Sequence, residues 1–214
     1  MFIGHFALGL AAKRAVPGVS LALLFAAAQL ADLLWPIFLA IGLEQVRIDP
    51  GNTAFTPFDF VRYPFSHSLA LLIVWGLVFG WIAAARRWHV FAVVFTLVVS
   101  HWVLDYVTHR PDMPLYPGGP KVGLGLWNSV PATLAVEVPL YLAGLWIYLR
   151  ATRPRDAIGR WSFGLLAATL LLTYVGNFAG PPPPSVTAVW IVGIAGSVIF
   201  LAWAWWADRH RDAI

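Results

Sequence analysis

The chain has 214 residues, of which 60% are hydrophobic and only 11% charged, with 12 Trp and 14 Phe. Soluble domains carry about 25% charged residues, so a soluble enzyme, a disordered tail and a nucleic-acid module are all poor fits. The complete lack of Cys excludes disulfides, thiolate nucleophiles, Cys-ligated zinc and iron–sulfur clusters.

The chain opens with a short apolar piece, residues 2–12, closed by Lys13-Arg14 and the Pro17-Gly18 break. It is too short to cross a bilayer, which takes about 20 apolar residues, and reads as a half-helix that dips in or lies at the interface. A cleaved signal peptide is the competing reading of this region, but the apolar run continues past the alanines at 26–28 to Leu43. Six stretches then qualify as spans: 18–43, 67–85, 88–108, 130–149, 161–179 and 187–207. Arg86-Arg87 separates the second from the third, and Arg150 to Arg160 lies between the fourth and fifth. The Pro181–Pro184 run ends the fifth, because proline cannot continue a helix. Trp88, Trp127, Trp161, Trp205 and Trp206 fall near span ends, where indoles favour the headgroup level.

These elements predict an all-α, polytopic helical bundle of about six transmembrane helices plus the N-terminal half-helix, one membrane domain over 1–214. Its first part, about 1–149, carries the candidate site, and 150–214 is a two-helix extension. With the N-terminus in the cytoplasm, the inner side holds ten Lys or Arg and the outer side four, Arg47, Arg62, Arg110 and Lys121, as the positive-inside rule expects. The expected location is a bacterial cytoplasmic (inner) membrane with both termini cytoplasmic.

Asp32, Asp105, Glu137 and His101 fall inside predicted spans, His67 opens the second span and His109 closes the third. A charge at the bilayer centre costs roughly 2.5–3.5 kcal/mol on insertion scales, so such groups face a cavity or one another. At a rise of about 1.5 Å per residue, His101, Glu137, Asp32, Asp105 and His67 lie roughly 18–27 Å from the cytoplasmic end of their spans. A dipping half-helix brings His5 to about 15–20 Å. Six side chains from five segments therefore share one slab in the outer half of the membrane. His101 and Asp105 are four apart in SHWVLDYVTH and share a helix face, with His109 one turn on. With His5, Asp32 and His67 the donor set is N and O only, which suits Zn²⁺, in one or two ions, and also Mn²⁺ or Fe²⁺.

The strings GHFALG (4–9), QLADLLWP (29–36), YPFSHSL (63–69) and SHWVLDYVTH (100–109) resemble the predicted membrane-bound metal-dependent hydrolases, the YdjM-like family. The resemblance covers about residues 1–130. Many members carry Arg-Gly-x-Thr-His-Ser where this chain has Tyr63-Pro64-Phe65-Ser66-His67-Ser68, so the His is kept and the Arg-Gly is not. The order of His and Asp is also distantly similar to zinc-dependent phospholipase C, the ground for expecting a phosphoester substrate.

The expected function is hydrolysis of a lipid or amphiphilic phosphoester by a metal-activated water at the outer leaflet. His5, Asp32, His67, His101 and Asp105 are the expected metal ligands, and Glu137 or His109 the general base or orienter. Ser66, Ser68, Arg62, Arg110, Asp112 and Lys121 are candidates for substrate contact. The Gly- and Pro-rich loop 109–129 is a candidate rim with no phosphate-binding glycine spacing. The alternative is a metal-ion or proton conduit through the same groups; against it, the cytoplasmic third of the spans holds no carboxylate and no His beyond His89 at the edge beside Arg86-Arg87. A haem carrier and a metal-free scaffold are further alternatives. No nucleic-acid partner is expected, and nothing in the sequence sets an oligomeric state.

Overall fold

The computed structural model describes residues 1–214. It is mostly helical, with three small two-stranded sheets outside the helices. Helix α1 (Ile3–Ala12) is followed by α2 (Leu21–Ala28) and α3 (Leu30–Ala40), the hairpin β1 (Gln45–Ile48) and β2 (Phe58–Arg62), and the single turn α4 (Pro64–His67). Then come α5 (Leu69–Ala84), α6 (Trp88–Thr108), the two-residue strands β3 (Met113–Pro114) and β4 (Lys121–Val122), and a 3-10 turn over Leu126–Asn128. Helices α7 (Val130–Ala151), α8 (Ala157–Ala179) and α9 (Val186–Arg209) complete the bundle, and β6 (Arg211–Ala213) pairs antiparallel with β5 (Thr152–Pro154).

Side-chain caps set many of the helix starts. Ser20, Ser68, Ser129 and Ser185 each accept the N–H three residues on, and Asp156 does the same from Gly159 at 2.8 Å, which satisfies donors that the first turn leaves free. Helix α5 ends at Ala85 and Arg86, both at positive φ, and the chain turns directly into α6.

Helices α6, α7, α8 and α9 are long and apolar enough to cross a membrane. The other two predicted spans look different. Residues 18–43 do not form one helix: α2 and α3 meet at Gln29 with a bend of 63°. Helix α5 has 16 residues, about 24 Å at 1.5 Å each, short of a full hydrocarbon core. Large apolar side chains such as Trp81, Ile82, Leu172 and Val192 are exposed on the bundle's outside. That belongs to a surface facing lipid rather than water.

Helix α1 packs along α7. A β-carbon on Gly144 would lie 2.5 Å from the carbonyl oxygen of Ala7, so only glycine lets the two backbones approach this closely. Both ends of α1 are anchored. At its start, Glu137 on α7 accepts the backbone N–H of Phe2 at 3.0 Å and of Gly4 at 3.4 Å. At its end, buried Lys13 pairs with Asp208 on α9 at 2.6 Å, and Asp208 also accepts from Tyr148 and from the N–H of Leu21. The chain therefore begins beside Asp105, where Met1 is buried, and its last strand lies at the opposite end of α7.

Candidate metal centre

The polar residues predicted to share a depth come together at one end of the bundle. Asp105 is the hub. His5 Nε2 lies 3.0 Å from its Oδ1, while His101, His67 and His109 place Nε2 at 3.1, 3.7 and 3.9 Å from its Oδ2. Asp32 Oδ1 stands 3.5 Å from His67 Nε2 and 3.9 Å from His101 Nε2. The ring of His5 stacks on that of His101, with centroids 3.7 Å apart and planes 4° from parallel. All are buried except Asp32, whose side chain is 39% exposed.

What holds the histidines in place also fixes their protons. His101 Nδ1–H donates to the carbonyl of Ala28 at 2.8 Å. Ala28 is the last residue of α2, whose terminal carbonyls lack helical partners. His67 Nδ1 lies 2.7 Å from Ser66 Oγ, and that hydroxyl gives its own proton to Glu44 Oε2 at 2.6 Å. Ser66 Oγ therefore accepts from His67 Nδ1–H. His109 Nδ1–H donates to Asp112 Oδ1 at 2.9 Å, and Tyr63 donates to the same oxygen at 2.8 Å. In all three rings the proton sits on Nδ1, leaving a bare lone pair on Nε2 pointed toward Asp105.

That arrangement demands a positive charge. A carboxylate oxygen and an unprotonated imidazole nitrogen are both acceptors, and His101 Nε2 makes no hydrogen bond although Asp105 Oδ2 is 3.1 Å away. Only a cation between them, a proton or a metal ion, turns the contact attractive. The amino group of Met1 supplies one such charge, pairing with Asp105 and donating to Thr108 Oγ1.

A divalent metal also fits. The ligating atoms of His5, His101 and Asp105 lie within 4.8 Å of one another, as do those of Asp32, His67 and His101. Two ligands about 2.1 Å from one tetrahedral zinc stand roughly 3.4 Å apart, and the hub distances bracket that value. Imidazoles whose far nitrogen is held by a carbonyl, a hydroxyl or a carboxylate are the usual outer support of such a centre.

The cluster floors a cavity of about 220 Å³. Its walls include Trp35, Phe58, Phe60 and Trp127, and α8 adds Asn177 with Pro181 to Pro183 beyond it. The C-terminal extension, in which the sequence offered no motif, thus closes one side of the site.

The other predicted residues sit around the cluster. Glu137 Oε2 caps the start of α1, the helix that carries His5 to Asp105. Ser68 caps α5 by accepting from Leu71. Arg62 is exposed beside the Phe65 ring, Lys121 donates to the carbonyl of Val61, and Arg110 is paired with Asp59 and Asp112. No Lys or Arg side chain lines the cavity. Ser66 and Asp112 contact His67 and His109, and neither lines the cavity. Sequence reasoning missed Glu44 and Tyr63. The run of polar residues at Glu44-Gln45, directly after an apolar span, was the one available signal for Glu44.

No protein-family model, curated protein or solved structure matches the chain.

Proposed function

We propose that this chain is an integral-membrane, metal-dependent hydrolase of the YdjM-like kind. It would hold a divalent ion, zinc by its donor set, among His5, Asp32, His67, His101 and Asp105, with His109 completing the shell. The observation that carries this reading is the set of three imidazoles, each tied at Nδ1 and each turning a bare Nε2 onto Asp105.

When bound, the ion supplies Lewis acidity and a water that loses its proton near neutral pH. The chain's own residues do the rest. Asp32, the more exposed of the two carboxylates at the cavity floor, would use the oxygen left off the ion to take up the proton and pass it to solvent. Trp35, Phe60 and Trp127 keep bulk water off the floor and offer an apolar wall to the tail of an amphiphile. His109 is held by Asp112 and Tyr63 so that its Nε2 stays turned inward.

In this reading the broken α2–α3 pair and the short α5 cross together with α6 to α9, giving six crossings. The Arg86-Arg87 turn and the Arg150–Arg160 segment face the cytoplasm of a bacterial inner membrane, and the cavity opens to the outer leaflet. The substrate is an ester of a lipid or similar amphiphile, a phosphoester in the first instance. At the far end of the bundle Lys13, Asp208 and Tyr148 pair with one another, so the groups a conduit would need there are already engaged.

The test is elemental analysis of purified wild type beside His101→Ala and Asp105→Ala, followed by assay of the loaded protein on lipid phosphoesters with and without chelator. Stoichiometric metal in wild type alone, with chelator-sensitive turnover, is the expected result. Equal metal in all three proteins ends the proposal.

A further inference from the structure

Two buried indole nitrogens stand out among the tryptophans. Trp75, Trp102 and Trp203 donate their Nε1–H to Phe65 O, Pro114 O and Ser162 Oγ. Trp35 and Trp127 bury theirs with no acceptor at all. A buried N–H left unpaired costs free energy, and interiors tolerate few of them. Both of these rings border the same cavity, the one floored by the metal cluster. Trp35 lies three residues after Asp32 on α3, on the same helix face. Trp127 sits in the 3-10 turn with its ring 4.3 Å from that of His109. Different elements therefore bring one unsatisfied donor each to the walls of one site.

The charge of the lining narrows what they receive. Asp32 and Asp105 contribute two negative charges and the Met1 amino group, paired with Asp105, one positive; the lining holds no Lys or Arg side chain. One divalent ion then leaves the site with a single positive charge. A dianionic head group would exceed it by one, which is expensive in a low-dielectric pocket. A neutral or singly charged ester, its free oxygens taken up by neutral N–H donors, fits.

We propose that the Nε1–H groups of Trp35 and Trp127 are the substrate-holding donors of this site. Through a small turn of each ring on binding, they donate to the oxygens of an amphiphile whose ester head carries no more than one negative charge. This rests on the hydrolase reading above for the identity of the site.

The test uses full-length, zinc-loaded protein in detergent with ¹⁵N-labelled indoles, the two signals being assigned by their loss in Trp35→Phe and Trp127→Phe. Three probes are titrated: dihexanoylphosphatidylglycerol (an amphiphile with one charge), hexyl phosphate (an amphiphile approaching two) and inorganic phosphate. The first is expected to move both indole signals, and each Phe variant to weaken its binding about 3- to 10-fold with zinc content unchanged. Binding that leaves both signals in place overturns the proposal, as does an equal response to inorganic phosphate or to hexyl phosphate. Zinc measured on the same samples separates the two claims. Loaded protein with unmoved indoles removes the donors alone, whereas zinc-free protein whose indoles still respond removes the hydrolase reading and keeps them.

Discussion

Replacing Glu44 with Gln should change the candidate metal centre without altering any of its proposed ligands. The Oε1 of Glu44 accepts the backbone N–H of Phe65 at 2.7 Å and of Ser66 at 2.8 Å, while Oε2 takes the Ser66 hydroxyl proton at 2.6 Å. The two backbone donors oblige the Gln carbonyl to take the first position, so its NH₂ occupies the second and faces Ser66 Oγ. An amide NH₂ only donates. The Ser66 hydroxyl must then turn its proton toward His67 Nδ1, 2.7 Å away, and the imidazole proton moves to Nε2. That nitrogen faces Asp32 at 3.5 Å and Asp105 at 3.7 Å, where it becomes a hydrogen-bond donor and ceases to be a ligand.

Losing such outer support costs about 10- to 100-fold in metal affinity, or roughly 1.4–2.8 kcal/mol. Ser66→Ala removes the relay but does not drive the proton to the wrong nitrogen, so its loss falls at the lower end, near 10-fold. Chelator competition gives the affinities, and ¹⁵N shifts of His67 give the tautomer. Glu44→Gln protein that binds zinc as tightly as wild type, or more tightly than Ser66→Ala, refutes the relay. So does a His67 ring that keeps its proton on Nδ1 in the variant.

Glu137→Gln retains an oxygen for the N–H groups of Phe2 and Gly4 and is expected to hold zinc within about twofold of wild type. Glu137→Leu loses the cap, about 1–3 kcal/mol of local stability, and weakens zinc by displacing His5; equal affinities in the two variants would count against a positioning role. Asp208→Asn leaves the buried Lys13 ammonium without its counter-charge, which costs roughly 3–5 kcal/mol and lowers the thermal midpoint while the folded fraction still binds metal. Asp156 is held below the ordinary carboxylate range by the Gly159 N–H and by His210. Its contribution is complete above roughly pH 4 and fades only as the pH falls below that, so the protection factors of the amides at 157–160, with the intrinsic exchange rate divided out, should be steady from neutrality to that point and fall in stronger acid. Arg62→Ala and Lys121→Ala should leave zinc affinity unchanged, since neither side chain lines the cavity.

Depth along a helix is legible in a sequence because the rise per residue is constant. His101, Asp105, Asp32 and His67 could be placed in one slab from their positions alone, and the spacing of 101 and 105 fixed a shared face. The same arithmetic put Glu137 at the right depth but said nothing of its direction. It points at the start of α1, because the free N–H groups there need an acceptor and no residue of α1 supplies one. Loop residues carry even less information. Arg62, Arg110 and Lys121 were credible phosphate contacts by their side of the membrane, yet a loop has no periodicity to say which way they turn.

The break at Gln29 was the least accessible feature, and it shows why. Residues 18–43 are continuously apolar, and Pro36, the visible helix breaker, sits inside α3 rather than at its end. Removing a donor one turn above Asp32, Pro36 loosens the helix without interrupting it. The interruption comes one turn before Asp32, where Gln29 leaves helical geometry at φ −104°, ψ 11°. A carbonyl inside a continuous helix already holds a backbone N–H. Ending α2 at Ala28 leaves one without a helical partner, and His101 takes it, so the bend and the tautomer of a cluster-facing imidazole are linked. That coupling belongs to tertiary structure: α2 breaks where α6 needs an acceptor, and no window of local sequence contains both partners.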